Sequence, residues 1–237
     1  ALLTYSHAFH PDLRKAIGYA YHRRQRQLER PGRELDRTQE KERPMTRMTL
    51  ASIERGKREK PFCVLVYGPE GVGKSTFAAG APSPIFIGEA GGTDHLDVAR
   101  FPSPQKWEDV ADAFTVLENE SHDFKTVVID TLDYLEPICW DGVCREESKK
   151  NIEAFGYGKG YLAAMEEFRV VLGRLEMLLE SKRMNVILLA HAHVRTFHNP
   201  AGDDYDHYEL RMHAKTAEIL RAWPKAVLFA NYRVYTN

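Results

Sequence analysis

A phosphate-binding loop constrains this 237-residue chain more than any other feature. Gly68 to Ser75 reads Gly-Pro-Glu-Gly-Val-Gly-Lys-Ser, which fits the pattern G-x-x-x-x-G-K-[ST]. An apolar run from Phe62 to Tyr67 precedes the loop, and Thr76 to Ala79 begins a helix after it. A strand, a glycine turn and a helix in this order aim backbone N–H groups at an anion. The sequence therefore predicts a nucleoside triphosphate site.

Each part of this loop has a chemical role in the predicted site. Glycines adopt the backbone angles that turn consecutive N–H groups inward. Lys74 is expected to reach the β- and γ-phosphates, and the hydroxyl of Ser75 is expected to contact Mg²⁺. The predicted ATP-contacting residues are Gly68, Pro69, Glu70, Gly71, Val72, Gly73, Lys74, Ser75 and Thr76.

A second strand signal ends in a carboxylate, as a Walker B strand does. Phe124 to Asp130 is a β-branched run closed by an acid. We expect this strand to lie beside the strand of the phosphate loop, so that Asp130 holds a water on the Mg²⁺ that Ser75 contacts. Asp133 is the rival acid, although it would point into the following turn.

Alternation between short apolar runs and helical periodicity predicts an α/β fold with a mainly parallel sheet flanked by helices. Glu89 follows one of the strands, at the end that faces the ligand in an open parallel sheet. The further predicted strands are Pro84 to Gly88, Asn185 to Ala190 and Ala226 to Tyr232, and the predicted helices are Pro104 to Glu118, residues 162–180 and Tyr208 to Trp223. The chain stops soon after the last strand, so we expect the C-terminal edge of the domain to be truncated.

Two histidines, His191 and His193, follow the apolar run from Asn185 to Ala190. A histidine at a strand tip can hydrogen-bond a γ-phosphate and report its loss to the next loop. A pair at this spacing could instead bind a metal, but no third ligand is apparent in the sequence. We favour the phosphate-sensing role.

Aromatic residues spaced by glycines mark the segment from Phe155 to Tyr161. Such a segment could clamp single-stranded DNA, because every base offers a flat π face. The same aromatic side chains could instead cover the core. The predicted DNA-contacting residues are Tyr157, Lys159, Tyr161 and, beyond the two histidines, Arg195.

Charge is distributed unevenly along the chain. The net charge is −1, yet basic residues outnumber acidic ones in residues 1–60 and acidic residues dominate the remainder. This composition suits a solvated helix or arm, with nucleic-acid contact as the alternative. We expect residues 1–46 to be a basic, poorly packed extension of a domain that spans residues 47–237. The arginines that define the extension are Arg23, Arg24, Arg26, Arg30, Arg33 and Arg37.

The origin of this extension is open at the level of sequence. The chain begins with Ala1, and Met45 and Met48 lie just before the first core element. Residues 1–44 could be upstream sequence read in frame, part of a larger polypeptide or a genuine extension.

The bulk sequence favours a cytoplasmic protein without a membrane partner. It contains no apolar run long enough to span a bilayer and no signal-peptide pattern. A disulfide framework is not expected, because the cysteines are odd in number and Cys63 lies within the first predicted strand. Zinc is not expected either, because Cys139 and Cys144 have no second pair at ligand spacing.

Taken together, the motifs resemble the core of RecA-type ATPases, and in particular the small RecA-like, Sak-type single-strand annealing proteins of phages. The resemblance covers residues 47–235. The segments that carry it are Tyr67 to Thr76, Thr126 to Asp133, Gly156 to Tyr161 and Ala190 to His193, followed by Tyr208 to Arg211 and Leu228 to Tyr232.

The resemblance implies a RecA-like P-loop NTPase fold and a set of roles. Glu89 would orient the attacking water, and His191 or His193 would sense the γ-phosphate. The loop from Trp140 to Tyr161 and the turn-rich loop from Arg195 to His207 would bind single-stranded DNA. The implied catalytic residues are Lys74, Glu89, Asp130 and His191, and the implied metal-binding residues are Ser75 and Asp130. Copies of the chain would assemble into a ring or filament, in the cytoplasm of a bacterial host if a phage encodes the protein.

The leading hypothesis is an ATP-binding, ATP-hydrolysing protein that acts on single-stranded DNA in phage-type recombination or annealing. One alternative is a DNA-binding module that ATP gates with little hydrolysis. Another is a small-molecule kinase, which would need an arginine-bearing lid over the phosphates. Arg145 and Arg195 are not clustered in the sequence as such a lid requires.

Overall fold

A mainly parallel β-sheet runs through the centre of the domain, as the alternating apolar runs predict. In the computed structural model of the chain, the described residues are 53, 60–89 and 91–233. The predicted extension, residues 1–46, lies outside them. The strands are β1 (Cys63–Gly68), β2 (Pro84–Gly88), β3 (Ala99–Arg100), β4 (Thr126–Asp130), β5 (Asn185–Phe197), β6 (Tyr205–Leu210) and β7 (Ala226–Phe229). The helices are α1 (Lys74–Ala79), α2 (Trp107–Asn119), α3 (Leu132–Glu146), α4 (Lys159–Ser181) and α5 (Ala214–Ala222).

The strand order is β3-β2-β4-β5-β1-β7, and β6 pairs antiparallel with the far end of β5. The expectation that the strand ending in Asp130 lies beside the strand of the phosphate loop is wrong, because β5 separates them. Side chains from Val186 to Ala190 in β5 are almost completely buried, which is typical of a central strand covered on both faces. The apolar runs of β4 and β5 look alike in the sequence, so composition does not reveal their order.

The carboxyl ends of the central strands nonetheless meet at one edge of the sheet. Gly68 at the end of β1 lies opposite His191 in β5. Gly88 at the end of β2 lies opposite Asp130 at the end of β4. The loops that follow β1, β2 and β4 therefore surround a common space, as expected for an open parallel sheet.

Helices cover both faces of the sheet and fix the positions of these strand ends. Cys63 and Leu65 of β1 face the larger core beneath α2 to α5, whereas Val64 and Val66 face a smaller core beneath α1. Phe114 of α2 is completely buried in the larger core. A buried side chain of this kind contributes roughly 2 to 3 kcal/mol.

The segment from Trp140 to Tyr161, predicted as a loop, is helical at both ends. Helix α3 runs past Trp140, and α4 begins before Tyr161. Pro137 and Gly142 lie within α3. Because both residue types are poor helix formers, the sequence does not predict this helix. The connection between the two helices is thereby reduced to residues 147–158.

The prediction of a helix from Tyr208 to Trp223 is only partly correct. Strand β5 continues beyond Ala190 and forms a hairpin with β6, so α5 is confined to Ala214–Ala222. His207 and Glu209 are half-buried whereas Asp206 and Tyr208, which alternate with them, are exposed, and this alternation is the period of a strand. The turn-rich segment predicted from Arg195 to His207 is likewise a hairpin with a short tip.

None of the helices in the described part of the chain combines the length and hydropathy needed to cross a bilayer. The three cysteines are buried and carry free thiols.

Candidate nucleotide-binding site

A cleft of about 500 Å³ opens at the carboxyl edge of the sheet, where the sequence places the phosphate site. The phosphate loop forms one wall, with Lys74 and Ser75 among its lining residues. Glu89, Asp130 and His191 also line the cleft, so the structure brings together the four predicted catalytic residues and the predicted metal-binding serine.

The loop has the backbone geometry that its glycines permit. Gly71 and Gly73 have φ angles of 73° and 94°, in the left-handed region that favours glycine. A side chain at Gly68 would place its Cβ 2.1 Å from the carbonyl oxygen of Ala230, so the close approach of β1 to the chain after β7 also requires glycine. The N–H of Phe77 donates to the Gly73 carbonyl at 2.9 Å and starts helix α1.

Lys74 is buried within the loop that it serves. Its Nζ donates to the carbonyl oxygens of Gly68 at 3.1 Å and Pro69 at 2.8 Å. Burial lowers the pKa of Lys74, although the charges of Asp133 and Asp130 oppose this effect. The amine is thus held in the cleft by neutral carbonyl groups, which compete only weakly with a charged phosphate for its hydrogen bonds.

Asp130 and Ser75 form the second functional pair of the cleft. Burial raises the pKa of Asp130, and a hydrogen bond from the Ser75 hydroxyl and the charge of Lys74 oppose that rise. Oδ2 of Asp130 is buried and has no hydrogen-bond partner among the described residues. A carboxylate oxygen in this position, beside a hydroxyl, fits a hard cation such as Mg²⁺.

A metal at this point would need further ligands. Among the described residues, no group of three or more histidine, cysteine, aspartate or glutamate side chains is arranged to hold a metal ion. Mg²⁺ usually completes its shell with waters and substrate phosphates, so one serine and one aspartate are sufficient protein ligands.

Asp133 does not point into the turn, as the sequence suggested, but anchors His191. The His191 N–H donates to Oδ1 of Asp133 at 2.8 Å, and Nδ1 of the ring lies 2.8 Å from Oδ2. An ionised carboxylate only accepts, so this contact places the ring proton on Nδ1. Burial alone would raise the pKa of Asp133, but the hydrogen bonds from His191 and Arg211 outweigh it and hold that pKa well below its usual range.

Arg211 is a cleft residue to which the sequence analysis assigned no role. It follows β6 and lines the cleft, where Nη1 donates to Oε1 of Glu70 at 2.7 Å and Nη2 donates to Oδ2 of Asp133 at 3.0 Å. In the sequence, Arg211 ends the segment Tyr208 to Arg211 that contributes to the family resemblance, but no role was assigned to it. Its place after a strand was hidden because the segment was assigned to a helix.

Glu89 lies at the mouth of the cleft and is exposed. Its backbone N–H donates to the carbonyl oxygen of Asp130 at 2.8 Å, which ties the end of β2 to the end of β4. Burial raises the pKa of the nearby Tyr134 hydroxyl, and the charge of Glu89 adds to the rise. His193, the alternative sensor, is half-buried and is not among the residues that line the cleft.

The predicted DNA-contacting residues differ in exposure. Tyr157 is fully exposed and has a φ angle of 50°, and the glycines on either side of it, Gly156 and Gly158, also have positive φ angles. Lys159, the first residue of α4, is exposed as well. Tyr161 is instead engaged, since it stacks on His213 with ring centroids 4.1 Å apart.

His213 connects this aromatic region with the cleft. It lies two residues beyond Arg211, and its N–H donates to both carboxyl oxygens of Glu136 at 3.1 Å. Burial raises the pKa of Glu136 to about 7. Tyr161 is therefore linked to Arg211 through His213, two residues further along the chain.

In the β5–β6 hairpin, the predicted DNA contact Arg195 pairs with Glu209 at 3.3 Å. Two hairpin aspartates also have partners, because Thr196 donates to Asp206 and His198 contacts Asp204. The acidic side chains are thus partly satisfied within the hairpin.

Comparison with known proteins identifies a family. Residues 60–237 match the model of a family described as an AAA domain. No curated protein matches the sequence. Among solved structures, the chain is similar to the crystal structure of the RadB recombinase, with 16% identity and a TM-score of 0.37 over 56% of this chain and 63% of that chain. The chain thus spans less than two thirds of that structure.

Proposed function

Because the chain belongs to this family of AAA domains, it is a nucleotide-binding domain of the P-loop ATPase class, and we propose that it hydrolyses ATP when it binds single-stranded DNA. The observation that carries the hydrolytic part is the meeting of Lys74, Ser75 and Asp130 in one cleft. These groups match the parts that phosphoryl transfer to water requires, namely a phosphate cradle, a fixed cation and a metal site.

The cradle and the metal site have separate roles. Lys74 and the loop N–H groups would bind the β- and γ-phosphates and stabilise the charge that develops in the transition state. Ser75 and Asp130 would hold Mg²⁺, which supplies further charge neutralisation when it is bound. The unpartnered Oδ2 of Asp130 supports this assignment.

Glu89 is the better candidate to orient the attacking water. Asp133 already accepts hydrogen bonds from His191 and Arg211, so its oxygens are occupied by structural partners. Glu89 is exposed at the mouth of the cleft, directly after β2, and its backbone N–H donates to Asp130. His191, with Nδ1 committed to Asp133, has Nε2 left to contact a phosphate or a water.

Single-stranded DNA would bind at the exposed turn that carries Tyr157 and Lys159. An exposed tyrosine between glycines can stack on a base, and the lysine can contact a phosphate. The stack of Tyr161 on His213, two residues from Arg211, supports coupling between this turn and the nucleotide. Tyr161 itself would then act as a support for the turn.

Assembly into a ring or filament is part of the same proposal. Strand β7 lies at an edge of the sheet, and Val227, Leu228 and Phe229 are each at least 40% exposed. Exposed apolar side chains on an edge strand are typical of surfaces that pair with another chain. A second copy on this edge would lie beside the phosphate loop, since β7 pairs with β1.

The alternative is a module in which ATP binding gates DNA binding with little turnover. The exposure of Glu89 favours it, because a water-orienting acid works best when its own position is fixed.

The direct test is ATP hydrolysis by the full chain with and without single-stranded DNA. We expect turnover that DNA stimulates and that Lys74→Ala abolishes. Lys182→Ala, which removes an exposed lysine at the far end of α4, is the matched control and should leave turnover unchanged. If DNA does not change the rate of ATP hydrolysis, the proposed coupling is contradicted. If ATP changes the affinity for DNA but is not hydrolysed, the gated module is favoured.

A further inference from the structure

The guanidinium of Arg211 joins opposite sides of the nucleotide cleft. Nη1 donates to Glu70 of the phosphate loop at 2.7 Å, and Nη2 donates to Asp133 of α3 at 3.0 Å. The Arg211 backbone is fixed as well, because its N–H donates to the carbonyl oxygen of His191 at 2.9 Å. The side chain therefore reaches into the cleft from an anchored position.

The two ends of this bridge are unequal. The side chain of Asp133 is only 7% exposed and also binds the backbone and ring of His191. The side chain of Glu70 is 70% exposed. Exposed ion pairs contribute little to stability, whereas breaking a buried pair is costly. Arg211 can therefore leave Glu70 far more easily than it can leave Asp133.

A triphosphate in the loop would change the preference of Arg211. The phosphates would place several negative charges beside Glu70, which belongs to the same loop as Lys74. An arginine fork binds phosphate oxygens with two parallel hydrogen bonds, and these charge-assisted bonds are stronger than an exposed contact with a carboxylate. Arg211 is also the one arginine among the residues that line the cleft in the described part of the chain.

We propose that Arg211 is a phosphate-contacting residue of the site and that Glu70 competes with the nucleotide for its guanidinium. Triphosphate binding would move Nη1 from Glu70 to the terminal phosphate while Nη2 stays on Asp133. The exchange would let the site distinguish triphosphate from diphosphate, because only the longer ligand offers the oxygens that replace Glu70. This inference rests on the proposed binding of nucleotide.

The test compares the affinities of a non-hydrolysable ATP analogue and ADP for the full chain. Arg211→Ala should weaken the analogue about tenfold or more, as expected for loss of a charge-assisted hydrogen bond, and change ADP by less than about threefold. Glu70→Gln should tighten the analogue by about three- to tenfold, because it frees Arg211. In the double variant that combines Arg211→Ala with Glu70→Gln, most of that gain in affinity should disappear.

Two control variants separate the possible failures. Arg211→Lys keeps the positive charge but not the fork, so it should lose the discrimination even if Arg211→Ala does not fold. Arg145→Ala removes an exposed arginine that pairs with Glu108 and should alter neither affinity. Either of two results would overturn this proposal while leaving the proposed function intact. One is that Arg211→Ala and Arg211→Lys weaken the binding of the analogue and of ADP equally. The other is that the gain in affinity from Glu70→Gln persists in full in the double variant. A wild-type chain that binds neither ligand would overturn the proposed function and this inference with it.

Discussion

Replacing Asp133 by asparagine tests whether this residue is an anchor or the catalytic acid. The side chain is 7% exposed and accepts three contacts, from the His191 N–H at 2.8 Å, the His191 ring at 2.8 Å and Arg211 at 3.0 Å. Asparagine keeps the shape and one acceptor but turns an amide group toward two donors. Removing one partner of a buried ion pair costs about 3 to 5 kcal/mol of unfolding free energy. Because asparagine keeps one acceptor oxygen, we expect a loss near the lower end, about 3 kcal/mol.

The assay is thermal unfolding followed by circular dichroism. For a domain of this size each kcal/mol corresponds to about 2 to 4 °C, so Asp133→Asn should lower the Tm by about 6 to 12 °C at pH 7. The folded pKa of Asp133 is depressed, so its stabilisation is complete above the unfolded pKa and is lost as the pH falls through the folded value. The difference between wild type and variant should therefore shrink below about pH 4.

Asp141→Asn is the matched control, because Asp141 is exposed on the same helix. This variant should have the same Tm as wild type. Asp133 is not a structural anchor if Asp133→Asn keeps the wild-type Tm within about 2 °C, a shift too small for a lost buried partner, while ATP turnover disappears. That result would make Asp133 a residue that acts on the substrate, and Glu89 would lose its proposed role.

Three further predictions concern the loop, a buried acid and the exposed turn. Gly68→Ala should abolish nucleotide binding and destabilise the domain by about 1 to 3 kcal/mol in denaturant titrations, because its Cβ would lie 2.1 Å from a backbone oxygen, whereas Gly173→Ala has open space and should be harmless. Glu136 has its pKa raised from 4.5 to about 7, so its contribution to stability is full below pH 4.5 and is lost as the pH rises through 7. Glu136→Gln should therefore raise the Tm at pH 8, by the equivalent of at most about 3 kcal/mol, with no gain at pH 4. Tyr157→Ala should weaken single-stranded DNA binding about tenfold in fluorescence anisotropy, the loss of one stacked base, at unchanged Tm, and equal DNA affinity would remove the turn from the proposal.

The phosphate loop and the strand before it could be predicted because their signals are local. Three glycines, one lysine and one serine at fixed spacing specify the turn, and the flanking apolar run specifies β1. Asp130 could be predicted for the same reason, because an apolar strand that ends in an acid is recognised directly in the sequence.

The order of strands and the role of Arg211 could not be predicted, because both depend on contacts between distant segments. Glu70 and Arg211 meet only after β6 folds back on β5, and no local pattern in the sequence indicates that contact. Asp133 was placed wrongly because its partner, His191, comes from a strand that was not expected to lie between β1 and β4.

The most direct measurement of the central claim is calorimetric titration of ATP into the full chain, with and without Mg²⁺, for wild type and Asp130→Asn. Wild type should bind ATP, and Mg²⁺ should tighten the binding. Asp130→Asn should bind ATP without Mg²⁺ about as well as wild type but lose the Mg²⁺ effect, because its oxygen no longer carries the charge that holds the metal. Absence of ATP binding by wild type, or an undiminished Mg²⁺ effect in Asp130→Asn, would show that this cleft is not the Mg²⁺–ATP site proposed here.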